Sequence, residues 1–320
     1  MVKGASGRGA AGGDVRFSDV PAEFVETCTA RIETLLESET RATPLVKMLR
    51  SALARERLVL PVISTTLMRV LRLLEKDSVS ISQLAIAIES DPALATKIVG
   101  VANSGFYGGI ESIGSVRDAL MRTGLEQVKN IVAGVAIRSS VFRAPGYERV
   151  MDAMWQRSIA TAFATLALLE SDRRYRESAF LLGLIHDVGR IVLLATAAVP
   201  LAQKNKIFPD DVIEEAGGAL RCELGAIALA SWAFDDDLID AVTWQDQPES
   251  CPEASRDLCA GLYAADTIVN LTVRGWIPTQ HEEVDQCVLE LLEPFGYDLQ
   301  QCAEILLLVE SGMSAFTKLV

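Results

Sequence analysis

Hydrophobic residues recur at intervals of three and four along most of this chain, which is the spacing of a buried helix face. Two amphipathic helices are predicted between Pro21 and about Arg57, with a break near residues 42–44. No run alternates between apolar and polar residues as a half-buried strand would. After Pro61 the helical spacing continues at Ile63, Leu67, Val70, Leu71 and Leu74. The pattern therefore predicts an all-α fold.

Short sequence signals mark where several helices begin. At Asp91-Pro92 the aspartate can accept hydrogen bonds from the first-turn amides, and proline at the first helical position loses nothing. Ser80 and Ser115 are predicted to cap the helices that follow them, the second in the form of a capping box. Ala144-Pro145-Gly146 is the clearest internal boundary. Longer helices are predicted at about 148–170, 176–198, 219–232, 235–245, 254–273 and within 281–318.

Composition and charge narrow the classes of function. Half of the 320 residues are hydrophobic and only 6% are aromatic, a mixture that suits packed helices. The net charge of −13 argues against non-specific binding of nucleic acid, because such binding depends on neutralising phosphates. No apolar stretch reaches the roughly 18 charge-free residues needed to cross a bilayer, and the N-terminus lacks an apolar signal core. We therefore expect a cytoplasmic protein that binds neither nucleic acid nor a membrane.

The most informative polar residues are His186 and Asp187, which stand together inside an apolar run that begins at Leu181. Adjacent His and Asp residues can both ligate a divalent metal. The only other histidine, His281, lies in a polar run and is predicted to be solvated at a helix start. A dinuclear hydrolase needs several imidazoles and carboxylates to hold its ions, and the six cysteines have no zinc-like spacing. The chain therefore indicates a fold that was kept after its reaction was lost.

An ordered set of short patterns extends from Leu60 to about Asp266. It includes Leu60-Pro61, Asp91-Pro92-Ala93-Leu94, Ala102-Asn103-Ser104, Ile113-Gly114-Ser115, Trp155-Gln156-Arg157-Ser158, His186-Asp187-Val188-Gly189, Glu223-Leu224-Gly225-Ala226 and Ala264-Ala265-Asp266. In this set the chain resembles the HDOD family, the HD-related output domains of bacterial signalling proteins. The resemblance implies an N-terminal helical subdomain packed on an HD-like helical subdomain, with a regulatory or scaffolding role.

The resemblance and the helix pattern together predict five segments. They are a flexible tail (1–19), an N-terminal helical extension (20–58), the N-terminal helical part of the HDOD domain (59–145), the HD-like helical part (146–273) and C-terminal helices (274–320). The extension and the C-terminal helices have no role assigned by the resemblance.

The resemblance also implies a metal site, and this chain departs from it. In HD phosphohydrolases the ligands are a leading His, the His-Asp pair, further histidines and a closing Asp. The pair and the closing Asp are present as His186, Asp187 and Asp266. The other ligand positions fall on Arg157, Arg221, Gln245 and Asp246, and Arg190 stands where the hydrolases usually have Lys. An arginine cannot bind a cation, so two of the implied ligands are lost.

We expect the arginines to take the place of the ions, because three carboxylates in a half-buried site are costly without compensation. Arg157, Arg190 and Arg221 would then pair with Asp187, Asp246 and Asp266. On this hypothesis the protein has no catalytic residue, no metal and no other cofactor. If a single metal were bound, its ligands would be His186, Asp187, Asp246 and Asp266. Alternatively, the three arginines form an anion-binding site for a phosphate or nucleotide.

Three functions follow from these alternatives. The first is a non-catalytic signal-transduction or scaffold module that acts through contacts with other, unidentified signalling proteins. The second is a metal-dependent phosphohydrolase acting on nucleotides or cyclic dinucleotides. The third is a module that senses a small nucleotide or phosphate ligand without turnover. The sequence names neither the regulated process nor the oligomeric state.

Overall fold

The computed structural model describes residues 20–61, 70, 73, 79–103, 112–172, 174–202 and 207–317. Its regular structure is helical, and no β-strand occurs within those ranges, so the all-α prediction is confirmed. Several predictions fall outside the described residues: the tail 1–19 and the positions Ile63, Leu67, Leu71 and Leu74.

The N-terminal extension forms two helices, as predicted. Helix α1 spans Ala22–Glu37 and helix α2 spans Thr43–Leu53. The second helix carries proline in its first turn, where the missing amide costs nothing. Cys28 and Ile32 are buried on α1, and Leu45 and Leu49 are buried on α2. Each helix therefore has the apolar face that its spacing predicts.

Among the described residues of the next segment, the helices are α3 (Ile81–Glu89), α4 (Pro92–Ala102), α5 (Val116–Thr123) and α6 (Leu125–Ser140). The three predicted N-caps are confirmed. Ser80 forms a full capping box with Gln83. Asp91 accepts hydrogen bonds from two first-turn amides. Ser115 accepts one from the amide of Asp118, but the Asp118 carboxylate accepts from the Ser115 hydroxyl and does not complete the predicted capping box.

The described residues of segment 146–273, predicted as the HD-like part, include α7 (Glu148–Leu168), α8 (Arg176–Ile185), α9 (Val188–Leu193), α10 (Val199–Ala202), α11 (Asp210–Ser231), α12 (Asp236–Thr243) and α13 (Arg256–Val273). A π-helical turn at Leu194–Ala198 joins α9 to α10. The C-terminal segment contains α14 (Glu282–Leu292) and α15 (Leu299–Thr317). His281 is exposed at the N-cap of α14, as predicted.

Two predicted helix boundaries are wrong. The helix expected over 176–198 is interrupted at His186-Asp187, here called the dyad turn, where the backbone of Asp187 leaves the helical conformation. The helix expected from about 219 begins at Asp210 instead. Pro209 is the N-cap of this helix, and its first turn contains Asp210 and Asp211. Their negative charges interact favourably with the helix dipole.

Helix α7 is central to the packing, because it contacts α8, α13 and α15. Helix α9 lies along α11, and α1 also packs on α11, so the extension is joined to the HD-like part. Trp155 on α7 is buried and packs edge-on against Phe142 and Phe316. These contacts hold the dyad turn between several helices.

One helical run, Ser178–Ala198, is long and apolar enough to cross a membrane by length and composition alone. Most of it, 89% of its most apolar window, is buried inside the protein. It is also interrupted by the dyad turn. These are the properties of a helical run in a protein core.

Candidate functional site

Two other helices, α7 and α11, pack closely against the segments on either side of the dyad turn. An added Cβ at Gly183 on α8 would lie 2.6 Å from Ala162 Cα on α7, and one at Gly189 on α9 would lie 2.0 Å from the backbone oxygen of Arg221 on α11. No side chain fits at such distances in a close-packed interior. Glycine at both positions therefore lets α7 and α11 bring their arginines to the turn.

His186 is fully buried, and each of its ring nitrogens lies near an acceptor. Nδ1 lies 2.7 Å from the carbonyl oxygen of Gly183, so this nitrogen donates a hydrogen bond. Nε2 lies 3.3 Å from Oδ1 of Asp266, within ion-pair distance but poorly aligned for a hydrogen bond. The imidazole is therefore held by groups of the protein itself.

Asp187 is the centre of the cluster, since all three predicted arginines contact its buried carboxylate. Arg157 Nη2 donates to Oδ2, Arg190 Nε lies 2.9 Å from Oδ1, and Arg221 Nη1 lies 3.7 Å from Oδ1. Burial by itself raises the pKa of Asp187, but the attraction of Arg190 and Arg157 outweighs burial and holds that pKa well below its usual value. Asp187 is thus ionised, and arginines of the same chain neutralise its charge.

Arg221 joins two further carboxylates. Its Nη1 donates to Asp266 Oδ2 at 2.9 Å, and its Nη2 donates to Asp246 Oδ1. Asp266 is buried, whereas Asp246 is exposed. Burial raises the pKa of Asp266, yet His186 and Arg221 together bring it well below its usual value. One guanidinium therefore connects the three predicted aspartates.

Gln245 is buried beside the dyad turn, but its amide faces the backbone. Nε2 donates to the carbonyl oxygens of His186 at 3.1 Å and Val242 at 2.9 Å. The side chain thus ties the end of α12 to the break in the helix. This contact and the arginines on Asp187 explain why an apolar run of helical spacing is interrupted there.

Glu214 on α11 belongs to the cluster and was not predicted. Its carboxylate pairs with Arg190 Nη1 and lies 3.9 Å from Arg157 Nη1, and 53% of the side chain is exposed. Glu214 and Arg221 are about two turns apart on one helix, so they share a face. The acidic start at Pro209-Asp210 was the signal that would have placed Glu214 on that helix.

The residues present do not fit a metal centre. Within the part of the chain that the structure describes, no three His, Cys, Asp or Glu side chains are placed to hold an ion. Arg221 Nη1 lies 2.9 Å from Asp266 and 3.7 Å from Asp187, so a cation between these carboxylates would meet a positive charge. The Oδ1 atoms of Asp187 and Asp266 have no well-aligned hydrogen bond, but each lies within ion-pair distance of a side-chain nitrogen.

The structure brings the predicted site residues into one contact network. The members are Arg157, His186, Asp187, Arg190, Arg221, Gln245, Asp246 and Asp266. With Glu214 they form what is called the arginine–carboxylate cluster below. The predicted pairing of arginines with aspartates agrees with these contacts.

Comparison with known proteins places the chain in a family. The HDOD domain family matches residues 60–248, more than half of the chain. An uncharacterised protein of Treponema pallidum (strain Nichols) is 23% identical over 228 residues, which is 67% of this chain. The chain spans 42% of the length of that relative.

Solved structures share the fold. A protein of Shewanella amazonensis, provisionally named a metal-dependent phosphohydrolase, matches with a TM-score of 0.65 and 22% identity over 90% of this chain and 99% of its own. An HDOD domain protein of unknown function from Geobacter sulfurreducens matches with a TM-score of 0.61 and 20% identity over 89% of this chain and 98% of its own. A provisionally named signal transduction protein of Marinobacter aquaeolei has a TM-score of 0.58 and 24% identity over 89% of this chain and 68% of its own. This chain belongs to the HDOD family.

Proposed function

We propose that this HDOD protein is a non-catalytic signal-transduction or scaffold module of the cytoplasm, which acts through contacts with other proteins. The observation that carries the proposal is the contact of Asp187 with the guanidinium groups of Arg157, Arg190 and Arg221. The resemblance assigns this aspartate to a metal ion. Its partners here are side chains that stay charged at any physiological pH and cannot act as ligands.

Metal-dependent hydrolysis of the HD phosphohydrolase type would require these arginines to move away from the carboxylates. Arg157 and Arg221 stand at positions where the resemblance implies histidine ligands, and both pair with buried carboxylates. Breaking a buried pair by removing one partner costs roughly 3–5 kcal/mol, because a charge is left without compensation. A metal would have to supply that free energy before it could bind.

A phosphate or nucleotide has little to gain at the same arginines. Three guanidiniums face four carboxylates, which belong to Asp187, Asp246, Asp266 and Glu214, so the cluster has no net positive charge. An anion would have to displace a carboxylate that is already in place. We expect calorimetric titration with nucleotides and cyclic dinucleotides to give no heat of binding.

The signalling role is supported by membership of the family and by the Marinobacter structure, which bears a signal-transduction name. The acidic net charge fits a protein that is steered to other proteins and away from nucleic acid. Both observations favour contact with partners over chemistry at the cluster.

Metal analysis and thermal unfolding test the proposal. We expect the purified protein to contain no stoichiometric metal and its Tm to be unchanged by Mn²⁺ or Fe²⁺. The double variant Arg157→His with Arg221→His restores imidazoles at the two lost positions, so its Tm is expected to rise with Mn²⁺. Arg174→His, on an exposed arginine, is the matched control. Stoichiometric metal in the wild type, or metal-dependent hydrolysis of a cyclic dinucleotide, would overturn the proposal.

A further inference from the structure

An apolar groove lies beside the arginine–carboxylate cluster, between α7, α13 and α15. Its volume is about 1110 Å³, above the roughly 300–1,000 Å³ typical of small-ligand pockets. Met154, Val273 and Leu307 form part of its apolar wall, while Arg157 and Glu214 of the cluster line it as well. The groove therefore reaches the cluster and is larger than a small metabolite needs.

Large hydrophobic side chains are exposed along this groove. Seven such residues are exposed in the described part of the chain, and three of them line the groove: Val273, Ile277 and Leu307. An exposed apolar patch of this kind usually marks a surface that another molecule covers. Covering it removes apolar area from water and is favourable for that reason.

The charge of the groove selects among possible occupants. Its charged lining residues are Arg157, Glu214 and Glu310. Arg157 and Glu214 both belong to the arginine–carboxylate cluster, in which four carboxylates outnumber three guanidiniums, and Glu310 adds a further negative charge, so the lining is acidic overall. A second copy of the chain would bring more negative charge to this surface, since its net charge is −13, and an anionic membrane would also be repelled. A basic partner gains from both the apolar wall and the carboxylates.

We propose that the groove is the docking site for a basic amphipathic helix of a partner protein. Its apolar stripe would face α13 and α15, and its lysines or arginines would lie near Glu214 and Glu310. Helix-in-groove recognition of this kind uses apolar residues at i, i+3, i+4 and i+7. The inference rests on the proposed function, in which the protein acts through protein contacts, and it gives that function a surface and a partner chemistry.

A synthetic peptide tests the docking site on the full chain. The probe is a fluorescein-labelled helix of about 18 residues, long enough to be helical in water, with leucine at the four stripe positions and lysine on the opposite face. A second peptide carries glutamate in place of each lysine. Fluorescence anisotropy should show binding of the lysine peptide that weakens with salt. The glutamate peptide should bind at least about tenfold more weakly.

Two matched pairs of variants locate the binding. Leu307→Asp changes a groove residue that is 65% exposed, and Leu308→Asp changes its neighbour, which is 43% exposed and does not line the groove. Leu307→Asp should weaken binding by about tenfold or more, and Leu308→Asp by less than about twofold. Glu310→Lys should weaken binding of the lysine peptide, whereas Glu304→Lys, on the same helix outside the groove, should not. Circular dichroism melting checks that all four variants are folded.

Several results would overturn the inference. Equal losses from Leu307→Asp and Leu308→Asp would mean that the peptide binds elsewhere. Self-association that is abolished by Leu307→Asp would identify a second copy as the occupant, and a Leu307-dependent preference for neutral phosphatidylcholine vesicles would identify a lipid surface. If the protein is metal-free but does not bind the peptide, the docking site is rejected and the proposed function is not. Metal-dependent turnover would reject the proposed function, whether or not the peptide binds.

Discussion

Asp187 and Glu214 contact the same two arginines, Arg157 and Arg190, from very different environments. Asp187 is buried at the dyad turn, whereas more than half of Glu214 is exposed beside the groove. A buried charge that loses its partner cannot be solvated by water, but an exposed one can. We therefore expect the ion pairs of the cluster to be unequal: loss of the buried pairs should destabilise the fold, and loss of the pairs beside the groove should be tolerated.

The largest effect is expected from Asp187→Ala. It leaves three half-buried guanidiniums without their common partner, so the free energy of unfolding should fall by about 3–5 kcal/mol. Urea denaturation followed by circular dichroism measures this loss. Asp172→Ala, which removes one of the two carboxylate partners of the exposed Arg174, is the control. A loss no larger than in the control would mean that the cluster does not hold the fold.

Lowering the pH is expected to have a smaller effect on the free energy of unfolding. The pKa of Asp187 and the pKa of Asp266 are both lowered in the folded protein, from an ordinary value of 3.8. A carboxylate with a lowered pKa stabilises the fold above that ordinary value, and its contribution is lost as the pH falls further. The free energy of unfolding should therefore fall below pH 3.8 more steeply in the wild type than in Asp187→Asn. Parallel pH dependences in the two proteins would contradict the assignment.

The smallest effect is expected from Glu214→Gln. Exposed ion pairs contribute about 0–1 kcal/mol, and Arg190 keeps its contact with Asp187 when Glu214 is neutralised. The same urea titration should show a loss of less than about 1 kcal/mol. A loss as large as that of Asp187→Ala would show that the two sides of the cluster act as one unit.

The two acidic residues also show how far the sequence can be interpreted. The pairing of Asp187 with arginines was predictable. The resemblance places Asp187 at a metal-ligand position, and arginines stand at other ligand positions of the same implied site. Glu214 was not predictable, because it lies outside the ligand pattern and α11 was predicted to start after it. The break at the dyad turn was missed for a different reason. Its local pattern is that of an apolar helix, and contacts from distant segments interrupt it.

The groove marks a further limit of prediction from sequence. Val273 and Leu307 lie at helical spacing on apolar faces, where sequence pattern predicts core. Periodicity gives the face of a helix that prefers to be covered, but not whether the same chain covers it. The exposure of both side chains became evident only from the packing of α7, α13 and α15.

The reach of Arg221 to all three aspartates has a consequence for how the protein matures. On the proposed function, in which the cluster holds no metal, every charge needed to complete the cluster is encoded in the polypeptide and nothing would have to be loaded after translation. A cell starved of iron or manganese would still produce the finished protein, and a chelator would take nothing from it. Its abundance would follow synthesis and turnover of the chain, not nutrient supply.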